Sequence, residues 1–175
     1  MDEVIIVEYD PRWPTLFEEE AARVWKALSH DIVVDIEHIG STAVPGLAAK
    51  PIIDLMVGVH SLENAQVAVP LLEALGYVYW RSDPRRERMF FVKGMPPYGL
   101  QRTHHLHIVE ASGEFWKRLL FRDYLRAHPR EAQRYEALKR DLAVRFPKDR
   151  EGYTDGKREY IQAVMEKACK PEGAN

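Results

Sequence analysis

The sequence predicts an α+β fold: a mixed β-sheet flanked by helices, with a helical C-terminal region. Three observations lead there. Up to residue 111, short β-prone runs with period-two alternation are interleaved with helical spacing. The most apolar run, PIIDLMVGV at Pro51–Val59, has the length and β-branched content of a buried strand. From Ser112 onward the spacing is helical only, and strands first with helices last is the order of an α+β chain. At 175 residues the chain is long enough for one domain with a sizeable core. Residues 1–111 are expected to form the sheet core, and 112–175 to pack on it within a single domain.

The elements follow in order. Val4–Glu8 is briefly β-prone. Trp13, Leu16, Phe17, Ala21, Val24, Trp25 and Leu28 recur at steps of three and four, which predicts a helix over Arg12–Leu28. Pro11 and Pro14 lie in its first turn, where a missing N–H costs nothing. Asp31–Ile39 reads as a strand with Ile32, Val34, Ile36 and His38 on one face. Gly40-Ser41-Thr42 is a turn leading into a short segment that ends near Ala49. After the Pro51–Val59 strand, Ser61 is placed to cap a helix reaching Leu75, kinked at Pro70 and stopped by Gly76. Tyr77–Trp80 and Arg88–Lys93 flank the turn SDPRRE and predict a hairpin; Thr103–Glu110 follows the loop GMPPYG as a further strand. Three helices are expected over 112–127, 130–145 and 150–169, punctuated by Pro129 and Pro147.

Composition excludes several classes. Apolar residues at 46% and charged residues at 30% are globular values, not those of a disordered chain. One cysteine, Cys169, allows neither a disulfide framework nor a cysteine zinc site, and a reducing, cytoplasmic setting is expected. The N-terminal stretch lacks a basic region followed by an apolar core, and no apolar run approaches the ~18 residues of a membrane span. The net charge of −2 hides an asymmetry: residues 1–40 carry ten acids and three bases, residues 81–170 carry 21 bases and 13 acids. A basic half suits an anionic small-molecule or nucleotide ligand. Those bases alternate with acids along helices and no aromatic platform interleaves with them, so tight nucleic-acid binding is not expected. The oligomeric state is left open.

Chemistry concentrates at a few positions. Gly40 and Ser41 form a turn between strand and helix that offers N–H groups and a hydroxyl to an anion. Asp54 sits among Ile52, Ile53, Leu55, Met56 and Val57; it either faces a cleft or pairs internally with a base such as Lys50, because an isolated buried charge is costly. His105 and His107, at i and i+2 of a strand, share a face. Two such imidazoles suit a metal, a phosphate or acid–base work near neutral pH, unless they are simply strand histidines bonded to neighbours. His38 is placed to join them at the sheet's end. Arg81, Arg85, Arg86 and Arg88 read as a solvated hairpin tip. Lys157 reads as an exposed lysine or as one reaching a phosphate. No Walker loop, GxGxxG, HExxH or GxSxG occurs.

Taken together, these stretches resemble a known family. HIGSTAVPGLAAKPIIDLMV at His38–Val57 is similar to the signature of the GrpB-like proteins, supported by YDPRWPTLFEEE, THHLHIV, LFRDYLRAHP and the spacing of Tyr153 and Lys157. That family is placed with the nucleotidyltransferases, which include kanamycin nucleotidyltransferase, poly(A) polymerase and DNA polymerase beta. The resemblance implies a nucleotidyltransferase-like sheet and a site for a nucleoside triphosphate. It also implies transfer of a nucleotidyl group to a small molecule with a divalent metal. Gly40, Ser41 and Thr42 match the phosphate-binding turn, with Lys50 and Lys157 as further phosphate contacts. Twelve residues separate Ser41 from Asp54, which matches one motif carboxylate. The sequence departs from the motif elsewhere: Ile52 and Met56 stand where a second acid belongs, and His105 and His107 where a third does. The implied catalytic and metal-binding set is therefore Asp54, His105 and His107, suited to Mn²⁺ or Zn²⁺ better than Mg²⁺. The alternative is a non-catalytic nucleotide-, phosphate- or metal-binding module that has lost the full carboxylate set.

Overall fold

In the computed structural model, which describes residues 3–169, the sheet has five strands. They are β1 (Val33–Ile39), β2 (Ile53–Val59), β3 (Tyr77–Tyr79), β4 (Met89–Lys93) and β5 (His104–Glu110), in the spatial order β1-β2-β5-β4-β3. β2 and β5 pair in parallel, and the other neighbours are antiparallel. The α+β class and the mixed sheet are as the sequence predicts. Residues 170–175 of the expected C-terminal region lie outside the described residues. Among the described residues no helix is long and apolar enough to cross a membrane.

Strand alternation sends the two faces of the sheet to different partners. Ile53, Leu55 and Val57 of β2, with Leu106 and Ile108 of β5 and Phe91 of β4, share a core with α1 (Trp13–Leu28) and α2 (Ala68–Ala74). α1 contributes Trp13, Ala21, Val24 and Leu28, one stripe at helical spacing, while Leu16 stays exposed. On the opposite face Met56 and Val109 pack with Ile39 and Phe115; the same face carries Asp54 and His105 at the N-terminal, near ends of β2 and β5, with His107 level with Met56. The later helices are α3 (Leu119–Ala127), α4 (Pro129–Arg145), α5 (Arg150–Asp155) and α6 (Arg158–Ala168). They form their own core of Leu125, Tyr135 and Val164 around Val44 and Leu47 from the β1–β2 connection. The helices thereby stand beside the near end of β2.

Five local expectations are corrected. Val4–Glu8 forms no strand, only a single bridge from Val7 to Ala49. In β1 the register shifts between Val33 and Asp35, so Val33 and Ile36 are buried and Val34 is exposed; a bulge changes which residues share a face. Ser61 does not cap a long helix: a 3₁₀ turn at Asn64–Val67 precedes α2, and Pro70 falls in the first turn of α2 instead of kinking it. The helix expected over 150–169 is split between α5 and α6 around Gly156 and Lys157, and a 3₁₀ turn at Trp116–Arg118 opens the helix expected from residue 112.

Candidate ligand-binding site

Asp54 is the second residue of β2 and lies in register with His105 on β5. His105 Nδ1 donates to Asp54 Oδ1 at 2.9 Å. His107, two residues further along the same face, holds Nε2 3.9 Å from that oxygen, too long for a direct hydrogen bond. Gly40 leaves β1 with φ of 75°, and a Cβ there would lie 2.5 Å from Asp54 Oδ2. Only glycine lets the turn close over this carboxylate, and Ser41 begins the 3₁₀ turn beside it.

Burial works against an ionised Asp54, but the hydrogen bond from His105 and the proximity of His107 outweigh it and hold the carboxyl well below its usual range. Burial pushes both histidines down, His107 to about 4. At neutral pH the group is thus one carboxylate and two neutral imidazoles. Arg88 settles the tautomer of His107. Its Nη1 lies 2.7 Å from His107 Nδ1, and a guanidinium only donates, so Nδ1 accepts and the ring proton resides on Nε2, towards Asp54. Asp83 holds Arg88 at 2.7 Å, and the guanidinium lies over Phe90 at 4.5 Å. The ring of His107 stacks on Phe90. His105 Nε2 is buried with no hydrogen-bond partner among the described residues. An unpartnered buried acceptor of this kind is costly until something donates to it.

These residues form the floor of a cavity of about 640 Å³, in the size range of small-molecule sites. Gly40, Ser41, Thr42, Lys50 and Lys157 all line it. Thr42 is committed within the fold: its hydroxyl donates to Ile52 O at 3.3 Å and meets His38 Nε2 at 3.0 Å. His38 does not join the other histidines. It is in register with Leu55, on the α1 side of the sheet, and stacks on Phe17.

Sequence reasoning missed two features. The hairpin arginines are not all a solvated tip. Arg85 and Arg88 line the cleft, and the Arg88 side chain is only 7% exposed. The signal was present: Arg88 stands two residues before Phe90, which pairs with His107, so alternation places it on the histidine face. Lys139 is the second. It is 2% exposed, donates to Ala48 O and lies over the Tyr135 ring. Its trace in the sequence is a lysine in the apolar stripe of Tyr135 and Leu142 on α4. In all, ten Lys or Arg side chains and four Asp or Glu side chains line the cleft among the described residues.

Asp54, His105 and His107 offer donor atoms within 4.8 Å of one another, so a small inward movement of the side chains would let one ion reach them at ~2 Å. In the arrangement seen, however, His107 presents an N–H and no lone pair to that point. His105 donates its Nδ1–H to Asp54, so its lone pair lies on Nε2, and the set as seen offers an ion only the carboxylate and that outer nitrogen.

Comparison with known proteins agrees with this architecture. The crystal structure of GrpB from Enterococcus faecalis superposes with a TM-score of 0.84 at 37% identity, covering 94% of this chain and 96% of that one. A UPF0157 protein of Pseudomonas aeruginosa is 47% identical over 95% of this chain and 68% of its own length. The glutamate-rich protein GrpB of Alkalihalophilus pseudofirmus is 36% identical over 93% of this chain and 94% of its own length. The family model described as GrpB protein matches residues 3–167, and the chain belongs to that family.

Proposed function

We propose that this protein binds a small phosphorylated ligand of the nucleotide class in the cleft, with the Asp54–His105 pair at the reacting end. The observation that carries this reading is the cleft itself: a strongly cationic lining around one ionised carboxylate, under a glycine turn that closes on it. Asp54 fixes the Nδ1–H tautomer of His105 and leaves Nε2 to accept a hydrogen bond, or a proton, from a ligand hydroxyl or amine. The cations neutralise the ligand's phosphates in a partly desolvated space, where such pairs are strong. RNA and DNA are not part of this reading, because the ligand site is a concave pocket.

A thermal-shift screen of nucleotides and phosphorylated coenzymes tests it, since a ligand bound only by the native state raises the melting temperature. A shift of several degrees with millimolar nucleotide supports the reading. No shift with any phosphorylated compound overturns it.

One observation favours a second reading, nucleotidyl transfer to a small molecule: the spacing of the three donor groups around one point. A divalent ion there would be held by Asp54 and His105, with His107 joining once released by Arg88. It would supply charge neutralisation at the phosphates. Pyrophosphate release from nucleoside triphosphates that requires Mn²⁺ or Zn²⁺, and is lost in Asp54→Asn, separates this from binding alone.

A further inference from the structure

Away from Asp54 and His105, the cleft has a second end built by other elements. Lys50 lies three residues before the start of β2, Lys139 lies on α4, and Lys157 lies between α5 and α6. The ammonium groups of Lys50 and Lys157 both sit over the Tyr153 ring, at 4.9 Å and 4.3 Å from its centroid. Lys139 is buried behind them against Tyr135. Bringing three lysines to one desolvated corner is electrostatically unfavourable by itself. The acids that face Lys139 and Lys157 are themselves engaged. Glu136, which faces Lys139, accepts hydrogen bonds from Arg140 and from the Ala48 N–H. Asp54, which faces Lys157, is held by His105.

We propose that the Lys50–Lys139–Lys157 corner is a phosphate subsite, so that a bound ligand lies with its phosphate over Tyr153 and its reacting group at Asp54–His105. This rests on the reading of the cleft as a site for phosphorylated ligands and adds the direction in which the ligand lies. The protonation of the corner supports it. Burial, with the neighbouring lysines adding to it, lowers Lys139 and Lys157 to about 7 each. The charged groups facing Lys139 are Glu136, Arg140 and Lys50; those facing Lys157 are Lys50, Lys139 and Asp54. Near pH 7.5 both lysines are partly neutral, and an arriving dianion raises both, so binding takes up protons.

The probe is inorganic pyrophosphate, titrated calorimetrically at pH 7.5 in two buffers of different ionisation enthalpy. Binding with uptake of about one proton is expected, and Lys157→Met should weaken it by about tenfold or more. Lys139→Met is the second variant, because methionine can replace the buried lysine stem without a cavity; circular dichroism confirms its fold. Arg118→Met, at the hairpin end of the cleft, should weaken binding less than either lysine variant does. Pyrophosphate binding that is lost in Arg118→Met but kept in both lysine variants overturns the subsite and leaves the proposed function standing. Nucleotide binding with unchanged affinity in both lysine variants does the same. If neither pyrophosphate nor any nucleotide binds, both readings fall.

Discussion

The guanidinium of Arg88 donates to Nδ1 of His107 at 2.7 Å, and that contact decides what the imidazole can offer at its other nitrogen. A ligating histidine needs a lone pair on the atom that faces the metal and a proton or neutral partner behind it. Arg88 imposes the reverse. Removing the guanidinium should therefore create a better metal site. Arg88→Met is expected to bind Zn²⁺ at least about tenfold more tightly than the native chain, and His107→Ala should abolish the gain. Equal affinity of Arg88→Met and native protein, measured by competition with a chromogenic chelator, would show that Arg88 does not control His107.

Gly40 and Gly46 make a controlled pair. Both have positive φ, 75° and 79°, so alanine is strained at either position. At Gly40 the new methyl would also meet Asp54 Oδ2 at 2.5 Å, whereas at Gly46 nothing lies within 4 Å. Each substitution should cost about 1–2 kcal/mol of stability. Only Gly40→Ala should also displace Asp54 and weaken nucleotide binding, by about tenfold. Equal ligand affinity in the two variants would remove the turn from the site.

Acid should destabilise the protein before its carboxylates titrate. His38 is buried between Phe17 and Thr42, near Asp54, Arg122 and Arg126, and burial lowers it to about 4. The folded state therefore resists protonation that the unfolded chain accepts near 6.5. Stability is intact above about pH 6.5 and falls as pH drops towards 4, by about 2 kcal/mol at pH 5 from this group. Urea titrations at pH 7.5 and pH 5 measure it, and His38→Gln should reduce the difference. An undiminished difference in His38→Gln would place the effect elsewhere.

The far end of the sheet is tight. A Cβ at Gly58 would lie 2.8 Å and 3.0 Å from two ring carbons of Trp116. Gly58→Ala should cost about 1–3 kcal/mol through overpacking. Trp116→Leu in the same chain should recover part of that loss, since the two sites share one contact. Additive losses in the double variant would mean that the clash is absorbed elsewhere.

Periodicity made much of the molecule legible. The spacing from Trp13 to Leu28, the apolar run before Val59 and the alternation of THHLHIV each specify an element locally, because burial on one side repeats at a fixed step. The same alternation placed His105 and His107 on one face. The family motif identified Gly40 and Asp54 as partners, and the structure sets them against each other. What the residues by themselves determined about this protein is thus its class, its family, most of its strands and helices, and the face that His105 and His107 share. Tertiary structure alone decided the rest. The parallel pairing of β2 with β5 brings Asp54 to His105 across 50 intervening residues, and a bulge in β1 sends Val34 out while His38 faces α1. The hairpin returns Arg88 onto His107, and α4 carries Lys139 under the segment after β1. Register and docking of this kind depend on contacts distant in sequence. A local pattern states which face a residue shares, but not what that face will meet.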